Sequence, residues 1–284
     1  MYIPAAKDKK YQWEEYTLLV PTVSVGNVGQ LTADLIISTL WMDRIGYIMH
    51  EAITPAIGNN PFAHADATAC KLTSCCEVYE SAATQVMVIQ QRAPLIKGRV
   101  HSYVKWLSEW IREKKFRQVV IVGSTFSHER LDYQMEGSPY RIVQSKPMKE
   151  RMGDFFSEMM GWKDLEPRPS LIDMPADSGD GQSNKGINTR ALYMPGSGIA
   201  KPLLEAIQDM PVLVFLMFCS EGDNAQDAIG LAQQLNGWMN LISKKEERRG
   251  SELSTDVARG IVDWKIPTSW KHFYGTHFDQ TLFH

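Results

Sequence analysis

Apolar positions along this chain change period repeatedly, between the runs typical of strands and the three-to-four spacing of helices. Tyr16-Thr17-Leu18-Leu19-Val20 is a β-rich run. From about Val28 to Leu40, the positions Val28, Leu31, Leu35, Ile36 and Leu40 share one helical face. Between the two lies Val23-Ser24-Val25-Gly26-Asn27-Val28-Gly29, a glycine turn from strand into helix. Ile45-Gly46-Tyr47-Ile48-Met49 predicts a second strand, and Cys76-Glu77-Val78-Tyr79 with Val86-Met87-Val88-Ile89 predicts a hairpin. Val100, Val104, Leu107 and Ile111 mark an amphipathic helix, its buried stripe widened by Trp106 and Trp110. Val119-Val120-Ile121-Val122-Gly123-Ser124 is a continuous apolar run of the kind found in parallel strands buried on both faces.

The C-terminal half repeats the alternation. Gly196-Ser197-Gly198 opens a helix through Leu203, Leu204 and Ile207, and Val212 to Phe218 is the most apolar strand. After Ser220-Glu221-Gly222-Asp223-Asn224 comes a helix with Ala228, Ala232, Leu235, Met239 and Ile242 on one face. Strand and helix in turn predict an α/β sandwich with a largely parallel sheet. One domain over 1–284 is expected, with three decorations. A flexible insertion covers about 164–190, centred on the Pro-, Gly- and Asp-rich stretch from Pro167 to Asn188. A charged linker over about 243–260 carries Lys244-Lys245-Glu246-Glu247-Arg248-Arg249 and reads as a solvated helix end. The tail, 261–284, is aromatic, with Trp264, Trp270, Phe273, Tyr274, Phe278 and Phe283.

Composition narrows the partners. Thirty basic against thirty-three acidic side chains give a formal charge of −3, with no clustered basic surface to call for nucleic acid or an anionic membrane. The apolar run Pro211–Cys219 is far short of the ~20 residues that a membrane-spanning helix needs. No apolar stretch follows Met1 in the manner of a secretory signal. An intracellular protein is expected, cytoplasmic, with the nucleus as a further compartment. Of four cysteines, Cys75 and Cys76 are adjacent, Cys70 lies just upstream and Cys219 ends the apolar strand. Their spacing lacks the paired C-x-x-C of a structural zinc site, even with His64 added, and reads as reduced thiols without a metal.

Four places invite a chemical reading. The turn Gly26-Asn27-Val28-Gly29 has too few glycines for a dinucleotide fingerprint, and Gln30-Leu31 stand where a P-loop has Lys and Ser or Thr. Tight strand–helix packing explains it better. Around Ser197, Pro195 and Ile199 hold the places that glycines take in a nucleophile elbow. Glu221 and Asp223 follow a buried strand, where paired carboxylates could bind a sugar diol or a cation, yet Asp223 or Asn224 also suits the N-cap of the next helix. Ser127-His128-Glu129-Arg130-Leu131-Asp132 supplies acid–base side chains without an evident partner and reads as a polar loop. No catalytic residue, cofactor or metal is assigned.

A family likeness rests on six collinear segments. Val23-Ser24-Val25-Gly26-Asn27-Val28-Gly29-Gln30-Leu31, continuing into Asp34-Leu35-Ile36-Ile37-Ser38-Thr39-Leu40, resembles the N-terminal signature of the proteasome assembly chaperone 2 family. Ile45-Gly46-Tyr47, Gly58-Asn59-Asn60-Pro61-Phe62, Ser220-Glu221-Gly222-Asp223-Asn224 and Trp264-Lys265-Ile266-Pro267-Thr268-Ser269-Trp270 are similar to later family segments. The signature positions are thus Gly26, Asn27, Gly29, Asn59, Asn60, Pro61, Glu221, Gly222, Asp223, Asn224, Trp264, Pro267 and Trp270, expected in structural or interface loops.

The resemblance implies a three-layer α/β/α sandwich reminiscent of nucleoside phosphorylases, with no catalysis and no cofactor. It implies a heterodimer with proteasome assembly chaperone 1 that scaffolds the α subunits of the core particle into a ring and blocks premature ring dimerisation. It also implies a C-terminal anchor, since proteasome-docking proteins often end in a hydrophobic residue, a tyrosine and any residue. Here Leu282-Phe283-His284 stand in those places, with Phe283 keeping the ring but lacking the hydroxyl. The alternative is a degenerate phosphorylase-like enzyme or small-molecule binder that uses Gly26, Gly29, Glu221 and Asp223.

Overall fold

A computed structural model describes residues 1–6, 11–63, 71–168, 192–242 and 263–272. Nine strands form one sheet: β1 (Tyr2–Pro4), β2 (Thr17–Pro21), β3 (Asp43–Ile48), β6 (Cys76–Ser81), β7 (Val86–Gln91), β8 (Gln118–Phe126), β9 (Tyr140–Gln144), β10 (Lys163–Asp164) and β11 (Val212–Cys219). Their spatial order is β1-β3-β6-β7-β2-β8-β11-β9-β10. The central strands β7, β2, β8 and β11 run parallel to one another, and the strands on either side are mostly antiparallel. Two short strands, β4 (Ile57–Asn59) and β5 (Leu72–Ser74), form a separate hairpin.

The predicted parallel strand and hairpin are present. β8 lies between β2 and β11, with Leu18 opposite Val119 and Val119 opposite Val212. β6 and β7 pair antiparallel from Cys76 with Gln91 to Ser81 with Val86. Alternate residues of each strand feed opposite cores, as the two-residue pleat dictates. Val119, Ile121, Val212 and Val214 face one core, whereas Val120, Val122, Leu213 and Phe215 face the other.

Helices cover both faces. Helices α2 (Val100–Lys114) and α5 (Ala200–Ile207) pack on the first core through Val104, Leu107, Ile111, Leu203 and Leu204. Helices α1 (Val28–Thr39) and α6 (Ala225–Met239) cover the second. The short α3 (Lys146–Met152) and α4 (Phe155–Glu158) add Met148 and Phe156 to it. The arrangement is a three-layer α/β/α sandwich.

Several expectations change in detail. Helix α1 is buried from Val28 to Ser38, Thr32 and Asp34 included, instead of along one stripe. It lies between the sheet, α6 and the segment around Lys265, so it has no solvent face over that span. Helix α6 stops at Met239, because Asn240 turns left-handed at φ 49°, and Ile242 therefore packs from beyond the helix. Strands β1, β4, β5, β9 and β10 have no counterpart among the expected elements. Within the expected insertion, Asp164 is in β10 and Leu165 is buried, while 169–190 lie outside the described residues. The linker 243–260 also lies outside them, as do 261–262 and 273–284 of the tail, Leu282, Phe283 and His284 included.

Among the described residues, no helix is long and apolar enough to cross a membrane. Cys75, Cys76 and Cys219 are free thiols, and burial pushes Cys76 and Cys219 above the ordinary thiol range. His64 and Cys70 lie outside the described residues.

Candidate functional site

The C-terminal ends of β2, β8 and β11 open on a cavity of about 460 Å³, at the edge where parallel sheets place their ligands. Two signature loops build it. From β2 the chain passes through Ser24 and Val25, then reverses at Gly26 and Asn27, which both sit left-handed at φ 60° and 54°. Glycine enters that region without strain and asparagine tolerates it, so these residue types suit the turn. Val25 N–H donates to Gly196 O at 3.0 Å and Asn27 N–H to Ser24 O at 3.0 Å. Ser24 Oγ lies 2.9 Å from Ser124 Oγ and accepts from Ser124 N–H at 3.1 Å. Val25 O accepts from both the Ser124 hydroxyl and the Cys219 thiol.

The second loop comes from β11. Asn224 is buried, and its Nδ2 donates to Ser220 O at 3.0 Å and to Gly26 O at 3.4 Å. It occupies the N-cap position of α6, yet its side chain makes no capping bond. Asp223 does related work, its Oδ1 accepting from Ala225 N–H at 3.0 Å. Burial, then the nearby Asp223, holds the Asp227 carboxyl above its ordinary range. Gly29 lies against β8, where a Cβ would come 2.4 Å from Val122 O. Gly26 and Gly29 are therefore small because neighbouring loop and strand occupy the space.

This geometry limits the chemistry. The described lining carries one ionisable group, Glu221, and no cation that would neutralise a phosphate. Ser24 is engaged by Ser124. Ser197 is buried and donates to Met194 O at 2.7 Å. Glu129 lies 3.4 Å from Arg168, and the His128 ring lies tilted against Phe126, 4.9 Å between centroids. The glycine turn, the Gly196 loop and Glu221 thus meet at this cavity, and Ser127 Oγ lies 2.6 Å from Ser220 Oγ, while Ser197 and Asp223 are held by structural partners.

The other signature segments converge at the far end of α1. Asn59 ends β4, and Asn60 closes a small turn, its Oδ1 accepting from Phe62 N–H at 3.1 Å. Pro61 O accepts from Ser269 N–H at 3.3 Å, which joins this loop to the 263–272 segment. Trp264 is buried, with Nε1 donating to Gln233 Oε1 at 3.3 Å, and Lys265 N–H donates to Thr39 Oγ1 at 3.0 Å. Pro267 O accepts from Trp270 N–H at 3.0 Å. Around these residues is a second cavity of about 250 Å³, bordered by Trp41, Met42, Phe62, Lys265 and Ile266.

Beneath that segment lies a polar network that no sequence pattern indicated. Arg92 grips Asp34 with two bonds of 2.7 and 3.1 Å, and Gln90 donates to the same carboxylate at 2.7 Å. Glu77 accepts from Arg44, Thr73 and Tyr79 at 2.8, 2.6 and 2.7 Å. At the opposite sheet edge, fully buried Arg141 pairs with Glu166 at 3.0 Å. The only advance signal was a charge inside each apolar stretch, which a sequence leaves without a partner.

Known proteins give this geometry a context. The model of the PAC2 family matches residues 18–236. The chain is 36% identical over 270 residues to proteasome assembly chaperone 2 of Danio rerio, covering 94% of this chain and 95% of that one. It is 32% identical over 285 residues to the Xenopus laevis protein of the same name, covering all of both. Among solved structures, Pyrococcus furiosus PbaA, an archaeal homologue of proteasome-assembly chaperone, superposes with a TM-score of 0.57 at 17% identity, covering 83% of this chain and 86% of PbaA. PbaB from the same organism, an archaeal proteasome activator, gives 0.52 at 11% identity, covering 92% and 98%. These two likenesses concern the fold.

Proposed function

The chain belongs to the PAC2 family, and on that premise we propose that it is a non-catalytic chaperone of proteasome core-particle assembly in the cytoplasm and nucleus. It works as one half of a heterodimer with a related chaperone, proteasome assembly chaperone 1. The pair scaffolds α subunits into a ring and blocks premature ring dimerisation. The observation that carries this reading is likeness over nearly the whole length to relatives named proteasome assembly chaperone 2, 31–36% identical. The site geometry supports it, since the signature glycines, asparagines and tryptophans hold loops together and do not assemble a reactive group.

The anchor to the α ring is Leu282-Phe283-His284, with the His284 carboxylate meeting a lysine of the ring. Burying Leu282 and Phe283 yields ~3–6 kcal/mol, and a desolvated carboxylate–lysine contact adds ~1.5–3 kcal/mol. Ordering each tail residue costs ~1–2 kcal/mol. The surplus is small, so the tail needs a body contact beside it to act with useful avidity. Deleting 282–284 weakens ring binding and leaves the chaperone heterodimer intact. Unchanged ring affinity after that deletion defeats the anchor.

Native mass spectrometry of the tagged protein purified from its own cells tests the reading as a whole. One related chaperone together with α subunits, and few mature β subunits, is the expected composition. A monomer or homodimer carrying a small molecule would overturn it. That outcome would favour the second reading, a small-molecule site, whose one supporting observation is the 460 Å³ cavity between the two signature loops.

A further inference from the structure

Two guanidinium groups meet on one aromatic ring at the edge of the sheet. Arg130, in the loop after β8, has its Cζ 5.0 Å from the centre of the Phe218 ring, and Arg141 of β9 has its Cζ 5.5 Å from the same ring. Arg141 is fully buried. Its Nε meets Glu166 and its Nη1 donates to Ser138 O and Tyr140 O, but its Nη2 has no hydrogen-bond partner among the described residues. Arg130 Nε is likewise buried and unpartnered. The carboxylates nearby are taken, Glu166 by Arg141 and Gln134, and Glu129 by Arg168. No carboxylate of the described residues forms an ion pair with Arg130, the exposed Asp132 of the same loop included. Burial, then the Arg141 charge, holds the Arg130 guanidinium below its ordinary range. Such an arrangement costs free energy, because a charge withdrawn from water without a partner is penalised and a like charge beside it adds to the penalty.

The hollow beside Phe218 limits what supplies the missing counter-charge. Its volume is about 10 Å³, and Glu129, Glu166 and Arg168 border it. That is room for about one water molecule, and its two carboxylates repel an anion, so no phosphate or free acid is enclosed there. The counter-charge comes from outside, at the part of Arg130 that stays in solvent. On the same loop Tyr133 is 51% and Met135 61% exposed. Arginine, tyrosine and methionine are the residue types enriched at protein interfaces, and the planar fork of a guanidinium matches a carboxylate. We propose that Arg130 receives an aspartate or glutamate side chain of a partner protein, with Tyr133 and Met135 as the apolar flank of that contact. This assignment holds whether or not the partner is a proteasome component.

The test uses the full-length chain purified from its own cells with the proteins it carries. Arg130→Lys keeps the cation and supplies an amine, which a carbodiimide joins to a touching carboxylate with loss of water. Mass spectrometry of the digest should find the amine at position 130 joined to an Asp or Glu of another protein. Arg130→Gln should then weaken binding to that protein roughly tenfold or more at low salt, as loss of one partner of a desolvated charge pair does. The difference should shrink as salt rises. The free variant should lose no stability, since the substitution removes a like charge beside Arg141. Coupling only to carboxylates of the same chain, or a chain that carries no other protein, overturns the assignment. So does Arg130→Gln affinity within about twofold of the parent, the range of a solvated surface pair. A destabilised free variant overturns it as well, because the arginine would then serve the fold.

Discussion

Gly26 and Asn224 lock the two signature loops together. A Cβ on Gly26 would lie 1.9 Å from Asn224 Nδ2, and that amide donates to Gly26 O at 3.4 Å. The pair joins the turn after β2 to the loop after β11, residues 198 positions apart.

Gly26→Ala therefore meets both a left-handed backbone and an occupied space. The backbone alone costs ~1–2 kcal/mol, and the overlap adds ~1–3 kcal/mol. Denaturant unfolding should show a loss of roughly 2–5 kcal/mol on that basis. Asn224→Ala in the same chain should recover the steric part and leave the backbone part. An additive double variant would mean that the two residues are not in contact.

At Gly29 the usual helix rule is reversed. Alanine normally favours a helix over glycine by up to ~1 kcal/mol. Here its methyl would press within 2.4 Å of Val122 O, a backbone atom of a central strand that has little room to move. Gly29→Ala should destabilise by about 1–2 kcal/mol, as a core overpacked by one carbon does. A stabilised variant would refute the close approach.

Trp264 carries the 263–272 segment onto the second core. Trp264→Ala should cost about 3–5 kcal/mol, as large aromatic truncations do. It should also loosen the neighbouring Pro61–Ser269 contact, read as faster exchange of the Ser269 amide. Unchanged stability would show that the segment contributes little to the fold.

Glu166 makes stability depend on acid. Burial raises its carboxyl, but hydrogen bonds from Arg141 and Gln134 outweigh this and leave it below the ordinary range. A carboxylate depressed in the folded state contributes fully above its unfolded pKa, and the contribution is lost as pH falls through the folded value. Glu166→Gln should leave fully buried Arg141 uncompensated. The glutamate side chain is 28% exposed, so the loss should be roughly 2–3 kcal/mol, under the ~3–5 kcal/mol of a fully buried pair. The variant should also lose less stability than the parent between neutral and acid pH. Equal acid sensitivity in both would remove Glu166 as the source.

The cavity between the signature loops is open to direct assay. A ligand at a hundredfold excess over its Kd stabilises the folded state by about 2.7 kcal/mol. Phosphate, nucleosides and nucleotides at millimolar concentration should leave the melting midpoint unchanged. A dose-dependent rise would favour the small-molecule reading.

The layer architecture was legible because its signals are local. β8 and β11 are continuous β-branched and apolar runs, and α2 announces itself by the spacing of Val104, Leu107 and Ile111. The turn at Gly26 was legible for the same reason, since glycine and asparagine mark left-handed backbone within a few residues. β9 escaped notice because Tyr140-Arg141-Ile142-Val143-Gln144 is short and has an arginine at its second position. That arginine is tolerable only because Glu166, 25 residues later, comes back to meet it. The stop of α6 at Asn240 was equally hidden behind the apolar Ile242.

Local pattern by itself determined the alternation of elements, the strand–turn–helix at Gly26 and the lack of an assembled phosphate-binding motif, because these depend on neighbours in the chain. Only the tertiary structure decided which distant residues meet. It set Asn224 against Gly26, Arg92 on Asp34, Ser269 on Pro61, and Lys265 over the Trp41 ring. Burial supplies the reason. A charge or a polar amide removed from water must find a partner wherever the fold brings one, and chain spacing carries no record of that choice.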